Sequence, residues 1–281
     1  MKYNRAYILL SPAKINLFLK VLNKREDGYH NILSAVQKIS LFDIIKIRIL
    51  KNNKGLIKVL FSNTEISPVN NTVYNAVKYF KEQFNLNDSI EIFIKKEIPV
   101  EAGLGGGSSN AGIVLKFLNK FYSEPFNIEK LISIAKKIGA DVPLFVSNKN
   151  LLLMGGIGDK LFDYDLDLSN YLILIVKPNF SISTKSVYKN LNLELTNKFK
   201  SINRAPSQIS EFFNDLENVV LEYYPEIENI KKFMYKNGAS LSLMTGSGSA
   251  VFGLFNSREK ALYCIQQLDA KYEKFLLNAL D

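Results

Sequence analysis

The sequence predicts an α+β protein of two domains that divide near residue 160. Alternating isoleucine and leucine residues in the first part of the chain indicate half-buried strands, interrupted by a segment with helical spacing. A length of 281 residues fits two domains of ordinary size, each able to bury its own core. The glycine-rich stretch at 155–158 and the acidic run at 163–167 form the best boundary. We therefore place the domains at 1–160 and 161–281.

The first domain is predicted to contain strands and three helices. One helix covers Asn71–Phe84, where apolar side chains recur at helical spacing behind polar capping residues. The next opens directly from a glycine run near Ser108, because apolar residues fall at i, i+3, i+4 and i+7 from Ala111. A third covers Ile128–Ile138 and stops at Gly139. The strands are expected at Tyr7–Val21, Asp43–Leu50, Leu56–Phe61 and Ser89–Lys95.

The second domain is predicted to mix strands with helices, without a repeat of fixed period. Its strands are expected at Leu172–Lys177, Ser240–Met244 and Ala250–Phe255. Its helices are expected at Lys185–Leu191, Ile209–Leu221 and Ile227–Lys236, with a final helix from Arg258. This order of elements is typical of an α+β domain.

Composition narrows the classes of function. Hydrophobic residues make up 47% of the chain and charged residues 22%, as in globular proteins rather than disordered ones. The longest apolar runs fall far short of the roughly 20 residues that a membrane-spanning helix needs, so no membrane partner is expected. Cys264 is expected to be a buried structural thiol. One histidine and one cysteine cannot form a zinc site, so any metal must bind to oxygen ligands.

The segment Pro99–Gly112 combines closely spaced glycines with two serines where a helix begins. The first N–H groups of a helix lack intrahelical partners, the helix dipole adds partial positive charge there, and glycines let a phosphate approach the backbone. The segment therefore suits a triphosphate. It lacks the Gly-Lys-Ser/Thr of the P-loop and the spacing of dinucleotide-binding loops. Its composition is also compatible with a tight strand-to-helix turn capped by Ser108 or Ser109.

The string Pro99–Ala111 resembles the phosphate-binding motif of the GHMP kinase superfamily, which includes galactokinases, homoserine kinases and mevalonate kinases. Further segments resemble the same superfamily in consistent order, namely Ser11–Leu17, Arg25–His30, Gly139–Phe145, Asn214–Glu217 and Thr245–Phe252. Two positions depart from the expected pattern. Glu101 is bulkier than the residue expected there, and Gly112 replaces an alanine, which puts the local packing of the loop in question.

The resemblance implies the two-domain α+β fold of GHMP kinases. A ribosomal-protein-like N-terminal domain is expected to bind the nucleotide, next to a smaller C-terminal domain, with the substrates in the cleft between them. ATP and Mg²⁺ are the implied cofactors. The segment Arg25–His30 resembles the member of the superfamily that phosphorylates the 2-hydroxyl of 4-(cytidine 5'-diphospho)-2-C-methyl-D-erythritol, in the non-mevalonate route to isoprenoid precursors. The expected protein is a monomer or weak homodimer in a bacterial cytoplasm or plastid stroma.

The resemblance also assigns roles to residues. Catalysis is assigned to Asp141, which accepts the proton of the acceptor hydroxyl, and to Lys14, the cation beside it that stabilises developing charge. From the pattern alone, Lys14 is a solvated lysine and Asp141 is a helix N-cap, a role worth about 1 kcal/mol. ATP binding is assigned to the loop residues Pro99, Val100, Glu101, Ala102, Gly103, Leu104, Gly105, Gly106, Gly107, Ser108 and Ser109.

Acceptor recognition is implied for four residues. Tyr29 is expected to stack on the cytosine and His30 to hydrogen-bond with it. Asn16 follows Lys14 by two residues and is expected to face the same cleft. Thr184 is expected to line the acceptor pocket.

Two supporting roles are implied as well. Ser108, or a carboxylate that the sequence does not identify, is expected to help hold Mg²⁺, whose other oxygen ligands are mostly phosphates and water. Support of the glycine loop is assigned to Gly246, Ser247 and Gly248. A simple turn between two strands is an equal explanation for these three residues.

The net charge of +9 leaves open an alternative from a different class, a basic RNA-binding protein. The lysines are scattered along the chain without a cluster of interleaved aromatics, so no nucleic-acid partner is expected. Among enzymes, the alternative is a GHMP kinase that acts on homoserine or mevalonate. The segment Gly28–His30 argues against that alternative.

Overall fold

The computed structural model describes residues 5–51, 54–63, 66–193 and 205–281. Strands β1 to β10 span, in order, Ala6–Lys24, His30–Leu50, Ile57–Phe61, Ser89–Lys95, Leu151–Gly155, Lys160–Asp163, Leu172–Lys177, Leu241–Met244, Val251–Phe255 and Glu273–Leu277. Helices α1 to α8 span, in order, Thr72–Phe84, Gly106–Phe121, Ile128–Lys136, Val142–Val146, Thr184–Lys189, Glu217–Tyr223, Pro225–Lys236 and Arg258–Gln267. Residues Ile209–Glu211 form a short 3₁₀ helix. Within the described ranges, no helix is long and apolar enough to cross a membrane.

The chain forms two compact units that are not continuous in sequence. The first comprises Met1–Ala13, Leu41–Ile98 and Gly105–Asn148, and the second comprises Lys14–Ser40, Pro99–Leu104 and Lys149–Asp281. The expected limits 1–160 and 161–281 differ from these units because strand pairing joins distant stretches of chain. Residues Ser34–Gln37 of β2, for example, pair antiparallel with Leu151–Met154 of β5. As limits of domains, 1–160 and 161–281 stay a prediction.

The first unit packs helices on a small mixed sheet. Strand β3 runs parallel to β4, and β4 pairs antiparallel with residues 44–50 of β2. Side chains of α1 to α4 share one hydrophobic core with these strands, and α2 packs against both α1 and α4. The predicted apolar stripes are buried, with Val73, Ala76, Val77 and Phe80 on α1 and Ala111, Val114, Leu115 and Leu118 on α2.

The second unit contains an antiparallel sheet in the order β10-β7-β9-β8. Helices α6, α7 and α8 contribute apolar side chains to its core. Cys264 on α8 is fully buried in that core, and burial raises the pKa of its thiol to about 11. The prediction of a buried structural thiol is confirmed.

Three predicted elements differ from the structure. Strand β2 begins at His30 instead of Asp43, because its added residues are buried almost without alternation and so lack the period-two pattern. The helix predicted over Ile209–Leu221 is only partly correct, because its first residues form the short 3₁₀ helix and α6 begins only at Glu217. Between these two helices, Leu19 N donates to Phe213 O at 2.8 Å and Asp215 N donates to Leu19 O at 2.9 Å, and these backbone bonds to β1 interrupt the helix. The final helix α8 is followed by β10, which pairs with β7.

Candidate active site

Helix α2 begins inside the glycine run. Its N-cap residue is Gly105, in the left-handed conformation at φ +71°, and no side chain caps the helix. The prediction that Ser108 or Ser109 is the N-cap is wrong, because the helix already begins at Gly106. The buried hydroxyl of Ser109 lies 2.7 Å from that of Ser11. The first N–H groups of α2 therefore have no side-chain cap, as an anion site at a helix start requires.

Residues 99–104 of the glycine loop lie against the turn that follows β8. Gly103 has φ +75°, and a Cβ atom there would lie 2.1 Å from the carbonyl oxygen of Thr245. Ala250 N donates to Ala102 O at 3.1 Å. Only glycine fits at position 103, both because its φ is positive and because the neighbouring backbone is so close.

The turn at 245–248 is tied to the loop and to the strand before it. Thr245 Oγ1 donates to Gly103 O at 3.3 Å. Asn214 Nδ2 donates to Met244 O at 2.8 Å and to Gly246 O at 2.7 Å, so one amide group holds both sides of the turn. These contacts are compatible with the predicted support of the glycine loop, and that role stays a prediction.

Lys14 is buried, with 4% of its surface exposed, so the interpretation as a solvated lysine is wrong. Its Nζ donates to Asn16 Oδ1 at 2.6 Å, and Asn16 Nδ2 donates to Ser34 Oγ at 2.8 Å. The backbone N–H of Lys14 donates to Leu104 O at 3.0 Å. Strand β1 thus carries Lys14 and Asn16 on one polar chain of hydrogen bonds and is bonded to the end of the loop.

Asp141 occupies the N-cap position of α4, but its side chain makes no capping hydrogen bond to that helix. The capping interpretation therefore does not describe what the carboxylate does here. Asp141 belongs to the first unit and Lys14 to the second. The pairing of their charges stays a prediction.

Gly112, which departs from the expected alanine, lies where α2 meets α4. A Cβ atom at this position would lie 2.6 Å from Phe145 Cβ and 3.1 Å from the carbonyl oxygen of Val142. Both neighbours belong to α4, the helix that follows Asp141. Glycine therefore allows α4 to pack closely on α2, which explains the departure from the motif.

We expect a Gly112→Ala variant to lower the free energy of unfolding by about 1–3 kcal/mol, the usual cost of overpacking. The new methyl group would collide with the Cβ atom of Phe145, and rotation of the Phe145 side chain does not move that atom. Urea denaturation measures the effect. The matched control is Gly107→Ala on the same helix, because its Cβ would touch only Thr72 Oγ1 at an ordinary 3.5 Å. Equal stability of the two variants would contradict the close approach of α4.

Aromatic rings gather around the residues predicted to recognise the base. His30 stacks on Tyr188 of α5, with ring centroids 5.2 Å apart and an interplanar angle of 29°. Tyr29 is 61% exposed. Burial, together with the nearby charge of Lys24, lowers the pKa of His30 below its ordinary 6.5. The imidazole is therefore neutral at neutral pH and offers one hydrogen-bond donor and one acceptor.

Thr184 lies at the start of α5, and its Oγ1 is 2.7 Å from Ser247 Oγ. It lines a cavity of about 480 Å³ together with Gly103, Gly248, Lys185 and Glu101. Glu101 adopts φ +53° and is exposed. The bulk of Glu101 therefore does not disturb the packing of the loop.

Several residues of the site were not predicted from the sequence. Tyr188 lies four residues after Thr184 on α5, and this spacing on one helix face is a pattern that could have pointed to it. Asn214 and Thr245 lie in segments that resemble the family, but no role was predicted for either residue. Ser34 lies outside every such segment and acts through its contacts with Asn16 and Phe18.

Family models and relatives match most of the chain. The GHMP kinases N terminal domain model matches residues 71–149, and the GHMP kinases C terminal model matches residues 192–274. A 4-diphosphocytidyl-2-C-methyl-D-erythritol kinase of Clostridioides difficile (strain 630) is 41% identical over 95% of this chain and 92% of that protein. A protein of the same name from Clostridium botulinum (strain Kyoto / Type A2) is 38% identical over 94% of this chain and 96% of that protein.

Solved structures are similar over nearly the full chain. A crystal structure of 4-(cytidine 5'-diphospho)-2C-methyl-D-erythritol kinase matches with a TM-score of 0.77 and 28% identity, covering 97% of this chain and 99% of that one. The mevalonate kinase of Methanococcus jannaschii matches with a TM-score of 0.72 over 99% of this chain and 100% of that one. At 17% identity, the second likeness shows the fold alone.

The fold and the glycine loop that leads into an uncapped helix define a small-molecule phosphotransferase. The chain belongs to the GHMP kinase family. The expected α+β fold of that family is confirmed. Membership favours the kinase interpretation over the RNA-binding alternative.

Proposed function

We propose that the protein transfers the γ-phosphate of ATP to the 2-hydroxyl of 4-(cytidine 5'-diphospho)-2-C-methyl-D-erythritol, giving the 2-phosphate and ADP. Two relatives of 38–41% identity, similar over nearly their full length, carry the name of this activity. The observation that carries the proposal is the uncapped start of α2 directly after the glycine run. The reaction is a step of the non-mevalonate route to isoprenoid precursors.

The nucleotide phosphates are assigned to residues 99–109. A helix start supplies N–H donors and partial positive charge, both of which favour an anion. Gly107 is exposed at this helix start, and Thr72 Oγ1 donates to its carbonyl oxygen at 2.9 Å.

The chemical step is assigned to two residues. Asp141 accepts the proton of the acceptor hydroxyl as the oxygen attacks the γ-phosphorus, in line with the bond to the leaving oxygen of ADP. The bond from the γ-phosphorus to that oxygen breaks, and ADP keeps the electron pair. Lys14, buried and hydrogen-bonded to Asn16, supplies a fixed positive charge that stabilises the negative charge developing on the transferred group.

Recognition of the cytosine is assigned to the aromatic rings. Tyr29 is exposed and able to stack on a base, and the neutral ring of His30 can both donate to and accept from the base edge. Tyr188 holds the His30 ring by stacking. Asn16 and Thr184 are assigned to the hydroxyl groups of the acceptor, since each presents a polar side chain in the second unit.

Mg²⁺ fits a site of this composition. Among the described residues there is no cluster of three histidine, cysteine, aspartate or glutamate side chains, so a purely protein-built metal cage is not expected there. Ser108, partly exposed in the first turn of α2, offers one hydroxyl ligand. Phosphate oxygens and water supply the remainder, as is usual for this ion, which neutralises charge on the phosphates when bound.

The test is ADP release by the purified protein with ATP, Mg²⁺ and one acceptor at a time. We expect turnover with 4-(cytidine 5'-diphospho)-2-C-methyl-D-erythritol and none above background with homoserine or mevalonate. Phosphorus NMR of the product is expected to show a new monophosphate on the erythritol. Turnover with homoserine or mevalonate alone would replace the proposed acceptor, and no turnover with any acceptor would contradict the proposed activity.

A further inference from the structure

A buried carboxylate bonds to the segment directly ahead of the glycine loop. Asp43 on β2 has no exposed surface. Its Oδ1 accepts the backbone N–H of Glu97 at 2.8 Å and that of Ile98 at 2.9 Å. These are the last two residues before Pro99, where the loop begins. Asp43 therefore fixes the backbone that leads into the loop.

The other oxygen of the same carboxylate bonds to the segment that follows the loop. Asp43 Oδ2 accepts from Nδ2 of Asn110, on α2, at 3.0 Å. It also forms an ion pair with Nζ of Lys96, whose side chain is 8% exposed. Lys96 Nζ lies only 3.0 Å from the position that a Cβ atom of Gly106 would take. The network thus reaches the first residue of α2.

Asn110 depends on Asp43 for its polar contact. Asn110 is 1% exposed, and its Oδ1 has no hydrogen-bond partner among the described residues. Its Nδ2 bond to Asp43 is therefore the contact that fixes the amide. The two oxygens of a carboxylate can accept about four hydrogen bonds, and Asp43 has four donors. A buried charge is tolerated only when hydrogen bonds and an opposite charge compensate for its loss of water.

We propose that Asp43 is a positioning residue for nucleotide binding. It holds the backbone ahead of Pro99 and the helix that begins at Gly106 in one fixed arrangement, so that the loop between these points is preset to receive phosphate. Preset donors lose less freedom when the ligand binds, which strengthens binding. This inference rests on the proposed function, since phosphate binding by residues 99–109 is part of that proposal.

The decisive variant is Asp43→Asn. The new amide keeps an oxygen for the N–H groups of Glu97 and Ile98, but its NH₂ group faces the ammonium of Lys96, which loses its carboxylate partner and cannot accept a hydrogen bond. We expect the KM for ATP to rise about ten- to hundredfold, as for a lost hydrogen bond to a charged group. The KM for the acceptor is expected to stay within about twofold, because no acceptor contact changes. The Kd for ATP, measured by calorimetry without acceptor, is expected to rise with the KM.

Rescue by a second substitution separates positioning from general damage. In the Asp43→Asn, Asn110→Asp double variant, the carboxylate moves to α2, accepts from the new amide on β2 and still pairs with Lys96. We expect the KM for ATP to return to within about threefold of the wild-type value, since a bond between β2 and α2 is restored. If the single variant Asp43→Asn does not fold, Asn110→Ala tests the proposal in its place. We expect the KM for ATP to rise about three- to tenfold in that variant.

The matched control is Asp88→Asn. Asp88 is also buried in the first unit, at 6% exposure, and its carboxylate accepts from the Tyr122 hydroxyl at 2.7 Å. Its loss is expected to lower stability without a change in the KM for ATP. The positioning role of Asp43 would be overturned by an unchanged KM for ATP in folded Asp43→Asn, or by a rise in Asp88→Asn as large as that in Asp43→Asn. Either result would leave the proposed function standing. A wild-type protein that does not bind ATP would overturn the proposed function as well.

Discussion

An Asp141→Asn variant is expected to lose about 10²- to 10⁴-fold in kcat, the range that general base catalysis contributes. The amide keeps the shape of the side chain but cannot accept the proton of the acceptor hydroxyl. Steady-state ADP release with saturating substrates measures the loss. The KM for ATP is expected to change little, because the loop residues are untouched.

The free energy of unfolding separates this role from helix capping. Asp141 makes no capping bond to α4, so an Asp141→Ala variant is expected to lose less than the roughly 1 kcal/mol that deletion of a helix cap costs in urea denaturation. Asn127→Ala is the matched control, because Asn127 does cap α3 through the N–H of Lys130 at 3.0 Å. That control is expected to lose about 1 kcal/mol with kcat unchanged. A loss of about 1 kcal/mol with kcat unchanged in Asp141→Ala would show a structural aspartate.

A Gly103→Ala variant is expected to raise the KM for ATP at least about tenfold, equivalent to 1.4 kcal/mol. Its methyl group would lie 2.1 Å from the carbonyl oxygen of Thr245, which is backbone and cannot turn aside. The positive φ of Gly103 adds about 1–2 kcal/mol of strain for any residue with a Cβ atom. The loop must therefore shift away from the turn at 245–248, and its phosphate donors shift with it. Initial rates against ATP concentration measure the effect.

A control at Gly55 separates the effect of backbone strain from the effect of the steric clash with Thr245. Gly55 has φ +67°, but a Cβ atom there would meet Lys81 Nζ and Asn87 O at ordinary distances of 3.6 and 3.7 Å. Gly55→Ala is therefore expected to lose stability by a similar strain and to keep the KM for ATP of the wild type. A KM for ATP in Gly103→Ala that stays near the wild-type value would show that the loop tolerates displacement, against the proposed binding role.

Much of the fold was predictable because its periodic patterns are strong. The stripe of α1 from Val73 to Phe80 and the alternation of β4 each indicated one element, and both elements formed where expected. The failures occurred where distant contacts outweigh local preference. The backbone of Phe213 pairs with Leu19, and this long-range bond interrupts the predicted helix before α6 begins at Glu217. Residues 30–42 of β2 are buried too evenly to show a strand pattern.

The candidate site was predictable in its residue types but not in its environments. The glycine string of residues 99–112 indicated a phosphate loop, and the motif around Asp141 indicated catalysis. The burial of Lys14 was not predictable, because alternation placed it on the polar side of its strand. Nor was the ring contact of Tyr188 with His30, which joins residues from two separate stretches of the second unit's sequence.

The sequence by itself determined the family, the class of reaction and the residues of the glycine loop, because these depend on a local string of residues. Tertiary structure alone decided how that loop is held. Gly103 lies against Thr245, Gly112 lies against Phe145, and Asp43 bonds to both flanks of the loop. Each of these contacts joins residues more than 30 positions apart. Such contacts form only when the chain packs, so no local pattern encodes them.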